Sequence, residues 1–139
     1  MIRYNNNTPF RLSDKKATTT WLTAVIRSEG FLPGEIEYFF CSDDQLLEIN
    51  RTHLNHDTYT DIITFDFTVS SLINSDIFIS VDRVRENSGK LGIDFEDELR
   101  RVMVHGILHL CGYKDKSPQN KLLMTQKEDE KLQMFHVKP

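Results

Sequence analysis

Apolar residues at helical spacing open the chain's legible pattern. Over residues 14–29, Trp21, Leu22, Val25 and Ile26 fall on one stripe, which predicts a first helix closed by Gly30 and Pro33. The period then drops to two across residues 35–41, with Ile36, Tyr38 and Phe40 on one side of a strand. S-D-D-Q at residues 42–45 is a capping box that starts a second helix carrying Leu46, Leu47 and Leu54. A polar loop over residues 53–59 leads to the clearest alternation in the chain. There Ile63, Phe65, Phe67 and Val69 alternate with Ile62, Thr64, Asp66 and Thr68, so a strand is expected over residues 61–69. A turn or longer connection at residues 70–75, a short strand at 76–80 and a helix over 81–88 follow. Asp94 caps a long helix over residues 95–111, with Glu96, Asp97 and Glu98 in the first turn, where the dipole favours acids. Gly112 stops it, and Ser117–Pro118 opens a last helix reaching about residue 134. Together these elements predict an α+β fold, a small mixed β-sheet flanked by helices, with strand order left open.

The helix over residues 95–111 is apolar almost all round: Val102, Met103, Val104, Ile107, Leu108, Leu110 and Cys111. Such a helix is expected to be central and buried. It nevertheless carries His105 and His109, four residues apart and so on one face. Burying two imidazoles without partners costs roughly 1–3 kcal/mol for each unsatisfied group, and one shared cation satisfies both. Gly112 lets the chain turn sharply, and Asp115 stands three residues on. The pattern H-x3-H-x2-G-x2-D thus gives His105, His109 and Asp115 as candidate ligands of a zinc-class ion with an open coordination position, around a central metal-binding helix. It has the spacing of the metzincin peptidases, but Gly106 stands where those enzymes carry their general-base glutamate. The bland alternative is a pair of core histidines satisfied by neighbouring hydrogen bonds. Thr60 and Asp61 read as a turn or strand start, and no general base is assigned.

Composition narrows the class. The chain has 139 residues, room for one domain. Its 39% hydrophobic and 27% charged residues, with nine Phe, exclude a disordered chain. No apolar run approaches the ~18–20 residues of a membrane span, and residues 1–12 do not read as a signal peptide. Two cysteines, Cys41 and Cys111, exclude a disulfide framework and a four-cysteine zinc module; both read as small core residues in a reducing cytoplasm. The net charge of −4 provides no global basic field, so a nucleic acid must meet a local patch. Candidates for phosphate contact are Arg51, Arg83, Arg85, Arg100, Arg101, Lys114 and Lys116, with Arg51 and Lys114 favoured as substrate-binding residues. His136 reads as a frayed surface residue.

The segment H-G-I-L-H-L-C-G-Y-K-D (residues 105–115) resembles the signature of the YbeY family, H-G-x-L-H-L-x-G-Y-D-H. T-D-I-I-T-F (60–65) is similar to the family's T-D-V-L-S-F, S-D-I-F-I-S (75–80) is similar to G-D-I-x-I-S, and Asn50 matches as well. The motifs keep their order and spacing over about residues 34–135. The resemblance implies a small sheet flanked by helices. It also implies a metal-dependent, single-strand-specific endoribonuclease in ribosomal RNA maturation, notably at the 3′ end of the small-subunit RNA, and in ribosome quality control. Zinc is the implied metal, held by His105, His109 and Asp115. The implied partners are ribosomal RNA and the ribosome or its proteins, with no membrane and no DNA. Two positions depart from the pattern: Asp115 replaces a histidine, and Leu54 stands where the family commonly has an arginine, a role left to Arg51, His53 or His56. A non-enzymatic ribosome-binding factor with a structural metal, a zinc peptidase and a two-histidine, one-carboxylate iron oxygenase are the competing classes.

Overall fold

The computed structural model describes residues 1–56 and 58–136; the side chain of His136, and with it the expectation made for that residue, lies outside the described residues. The elements run β1 (Ile2–Asn6), α1 (Lys15–Ser28), β2 (Leu32–Cys41), α2 (Asp43–Leu54), β3 (Ile62–Asp66), β4 (Leu72–Ser80), α3 (Val81–Leu91), α4 (Phe95–Leu110) and α5 (Pro118–His136). The four strands form one sheet in the order β1-β2-β4-β3. The β1–β2 and β2–β4 pairs are parallel and β3–β4 is antiparallel, so the sheet is mixed, as expected.

Register decides which residues share a face. Tyr38 lies opposite Ile77, Phe40 opposite Ile79, Ile62 opposite Ile79 and Thr64 opposite Ile77. That face receives α4: the Tyr38 hydroxyl donates to the Met103 carbonyl at 3.0 Å. Trp21, Leu22, Val25 and Ile26 of α1 and Val102, Met103, Val104 and Ile107 of α4 complete the core there. On the opposite face, Phe78 stacks on Phe39 with ring centres 4.5 Å apart, and Phe65 meets Phe78 edge-on. The capping box of α2 forms as its sequence predicts, with Ser42 Oγ accepting from Gln45 N and Gln45 Oε1 accepting from Ser42 N.

Several boundaries differ from the pattern-based expectation. β1 is absent from it, because I-R-Y-N-N offers one buried apolar residue, Ile2, and gains strand form only by pairing with β2. The strand expected over residues 61–69 stops at Asp66, whose carboxylate accepts from Thr68 N at 2.9 Å and bends the chain. Phe67 and Val69 are consequently exposed, at 58% and 67%. Val69 and Leu72 exchange two backbone hydrogen bonds across a tight turn, with Ser70 at φ 54°. β4 starts at Leu72 rather than residue 76, because its first residues pair with Leu32 and Pro33 of β2. Leu54 is exposed at the end of α2, whereas Leu46 and Leu47 are buried.

Candidate active site

α4 brings His105 and His109 to one wall of a cleft of about 520 Å³, and the turn after Gly112 brings Asp115 to the same cleft. Gly112 has φ 107°, a left-handed conformation that glycine adopts without strain. The opposite wall is Thr60 to Thr64, with Asn50, Leu54, His56 and Thr58 at one end and Lys116 at the rim. The loop at that end is tied down by Asn50, whose Nδ2 donates to Thr58 O at 2.8 Å and whose carbonyl accepts from His56 N at 3.1 Å.

Each imidazole is oriented by a hydrogen bond at its Nδ1. His105 Nδ1 donates to Glu128 Oε2 at 2.7 Å, and His109 Nδ1 donates to the Tyr113 carbonyl at 3.1 Å. A carboxylate and a carbonyl can only accept here, so both rings carry their proton on Nδ1 and leave Nε2 for the cleft. His105 Nε2 lies 3.2 Å from Asp115 Oδ2. The hydrogen bond to Glu128 holds the His105 imidazole above its ordinary range, against burial; the charges of Glu128, Asp115 and Asp61 add to the rise. Positive charge between His105 and Asp115 is therefore favoured. Among the described residues, no three His, Cys, Asp or Glu side chains are gathered tightly enough to ligate an ion without further movement. The donor set nevertheless fits one: two imidazoles whose Nδ1 atoms are engaged elsewhere, and a carboxylate beside them.

The family model described as Endoribonuclease YbeY matches residues 3–136. A protein named Endoribonuclease YbeY from Flavobacterium johnsoniae is 56% identical over 99% of this chain and 99% of its own length. Its namesake from Flavobacterium psychrophilum is 52% identical over the same shares. The chain belongs to the YbeY endoribonuclease family. Ribosomal RNA maturation is the role of that family. The solution structure of TM1509 from Thermotoga maritima superposes with a TM-score of 0.70 at 25% identity, covering 97% of this chain and 89% of that one.

The remaining residues singled out for YbeY-like chemistry are dispersed. Lys116, not Lys114, lines the cleft; Lys114 lines a separate hollow with Glu29, Cys111 and Tyr113. Arg51 is on the exposed side of α2, 4.0 Å from Glu48. His56 and Leu54 line the cleft, while His53 packs edge-on against Phe65. Arg83 is engaged by Asp43 at 2.6 Å and Glu86 at 3.0 Å, and Arg100 by Asp97 at 2.7 Å. Arg101 reaches Glu128 at 2.9 Å and Asp129 at 2.5 Å, and so braces the carboxylate that orients His105. Thr60 and Asp61 immediately precede β3, and Asp61 O accepts from Ser80 N at 2.9 Å. Burial raises the Asp61 carboxyl, while the His105 charge lowers it. Cys41 is buried, and burial together with the Glu29 charge pushes the Cys111 thiol up to about 12, so both cysteines are inert packing groups.

Glu128 is the residue the sequence reading missed. It sits in α5, 23 residues from His105, and is 7% exposed. A signal existed: Met124, Glu128 and Leu132 recur at a spacing of four, which puts a carboxylate on the inward stripe of the helix.

Proposed function

We propose that this YbeY-family chain cleaves single-stranded ribosomal RNA, including the 3′ end of the small-subunit RNA, with one divalent ion of the zinc class held by His105, His109 and Asp115. The observation that carries this reading is the paired orientation of the imidazoles: both Nδ1 atoms are occupied, by Glu128 and by Tyr113 O, and both Nε2 atoms are left for a cleft that contains Asp115. A bound ion of this class supplies Lewis-acid polarisation of a phosphoryl oxygen and acidifies water at neutral pH. The protein's own groups then have definite tasks. Glu128 and Tyr113 fix the two rings, so the imidazoles themselves need little reorientation on binding. Gathering the third ligand is a step of binding rather than a property of the chain alone. Lys116 at the rim meets a phosphate, and Arg51 and Lys114, farther out, are candidates for phosphates flanking the scissile bond. Ribosome association, a role in ribosome quality control and a cytoplasmic site of action belong to the same reading; no described helix is long and apolar enough to cross a membrane.

The test is a His109→Ala variant beside the parent chain, both purified without an affinity tag. The parent is expected to carry about one zinc-class ion per chain and to cut single-stranded ribosomal RNA fragments in a chelator-sensitive way. The variant is expected to keep its circular dichroism spectrum and lose cleavage. A folded variant that still cuts would refute metal-assisted hydrolysis and leave a binding factor as the better description.

A further inference from the structure

Two hydrogen bonds fix which backbone groups of β3 point into the sheet. Ser80 N donates to Asp61 O, and Phe67 N donates to Asn74 O, both at 2.9 Å. In antiparallel pairing the hydrogen-bonded positions alternate. With Ile63 opposite Phe78 and Phe65 opposite Asp76, residues 61, 63, 65 and 67 turn their N–H and C=O groups toward β4. Ile62, Thr64 and Asp66 therefore turn theirs outward. β3 is the last strand of the sheet, so among the described residues no strand meets those outward groups. Thr60 Oγ1 lies 3.4 Å from the Ile62 carbonyl and partly occupies it. Among the described residues, no other group meets the Ile62 N–H or either backbone group of Thr64.

Exposed strand edges are usually covered, charged or shortened, because they invite pairing. This one forms a wall of the cleft, with Ile62 and Thr64 facing the space that His105, His109 and Asp115 line. Gly106 keeps the helix close without closing the gap: a Cβ there would stand 3.0 Å from Ile62 Cδ1 and 3.4 Å from Thr64 Cγ2. The outward N–H and C=O of one strand residue form a donor–acceptor pair, the same kind of pair that an unpaired nucleobase presents on its Watson–Crick edge. In a duplex that edge is already used.

We infer that the open edge of β3 holds the RNA substrate, with the N–H and C=O of Thr64 hydrogen-bonded to an unpaired base beside the scissile phosphate and the N–H of Ile62 donating to the neighbouring nucleotide. This deepens the proposed function and rests on RNA occupying the cleft. It supplies a physical cause for single-strand selectivity: the edge reads a base only when no complementary base has taken it.

Amide hydrogen exchange read by NMR on the full chain tests this. The probe is a short 2′-O-methylated single-stranded oligoribonucleotide of small-subunit 3′-end sequence, which has no 2′-hydroxyl to react. In the free protein, Ile62 and Thr64 amides are expected to exchange at least about tenfold faster than those of Ile63 and Phe65. Saturating single strand is expected to slow Ile62 and Thr64 by a similar factor, and the same oligonucleotide in a duplex is expected to leave them unchanged. Binding without protection at Ile62 and Thr64, equal protection by duplex, or no binding would each overturn the inference. Protection by an extended peptide but not by RNA would overturn it in favour of a protein partner. Protection by RNA, alongside a His109→Ala chain that still cuts, would sink the metal-hydrolysis reading and leave this one standing.

Discussion

Replacing Glu128 by Gln keeps an acceptor opposite His105 Nδ1 but removes the charge that holds the ring and anchors Arg101. Groups that orient metal-binding histidines are typically worth 10–100-fold in affinity, so Glu128→Gln is expected to weaken metal retention by about tenfold. Chelator competition measures this, and an unchanged affinity would show that Glu128 serves only to hold α5. The contrast with the candidate ligands themselves is one of sequence distance. His105, His109 and Asp115 are legible because one helix and one glycine turn set their relations locally. Glu128 and the engagement of Arg101 depend on how α5 docks, which no local spacing encodes. The same holds for Lys114 and Lys116: both follow the Gly112 turn, and only the fold decides that Lys116 faces the cleft.

At the scale of elements, α4 comes close to β3 at Gly106. Gly106→Ala is expected to change stability by less than about 1 kcal/mol: the helix gains roughly that much from losing a glycine, and moving Ile62 Cδ1, the free end of a side chain, costs a similar amount. Gly106→Val places further carbons against Thr64 and Ile77 and is expected to lose about 2–3 kcal/mol. Urea unfolding of the two variants distinguishes these outcomes; equal losses would mean that the gap at Gly106 is not what positions the helix. Helices with strong apolar stripes, α1 and α4, fall within a residue or so of their expected bounds. The strands fare less well, because β1 and the first residues of β4 owe their form to partners distant in sequence. β3 is shorter than its alternation suggests, since a period of two marks a pleated surface but does not register the Asp66 bend.

For the whole molecule, the joint that anchors the chain leaving α4 is a buried ion pair. Lys131 Nζ lies 2.7 Å from Glu29 Oε2, the Tyr113 hydroxyl donates to Glu29 Oε1 at 2.6 Å, and Trp21 Nε1 donates to the Lys131 carbonyl at 2.7 Å. These bonds tie α1, α5 and the chain leaving α4 together, and Tyr113 is the residue whose carbonyl orients His109. Burial alone would raise the Glu29 carboxyl, but the hydrogen bonds from Lys131 and Tyr113 and the two lysine charges outweigh it and hold the group below its ordinary 4.5. A carboxyl depressed in the folded state is protonated more readily when unfolded. Its stabilisation is therefore complete above the ordinary value and is lost as pH falls through the folded one. Removing one partner of such a pair leaves the other uncompensated, so Lys131→Met is expected to cost about 3 kcal/mol. The double variant Glu29→Gln, Lys131→Met is expected to cost less than the single one, because no unpaired charge remains. Trp21 is the sole tryptophan and packs edge-on against Phe135 of α5, so its fluorescence reports this joint. Acid titration of the parent chain should show the Trp21 signal changing below pH 4.5 and not above it. In the Lys131→Met chain the Glu29 carboxyl rises, so the change should begin at higher pH. Identical titrations for the two chains would mean that packing between α1 and α5, rather than the Glu29–Lys131 pair, holds this joint together.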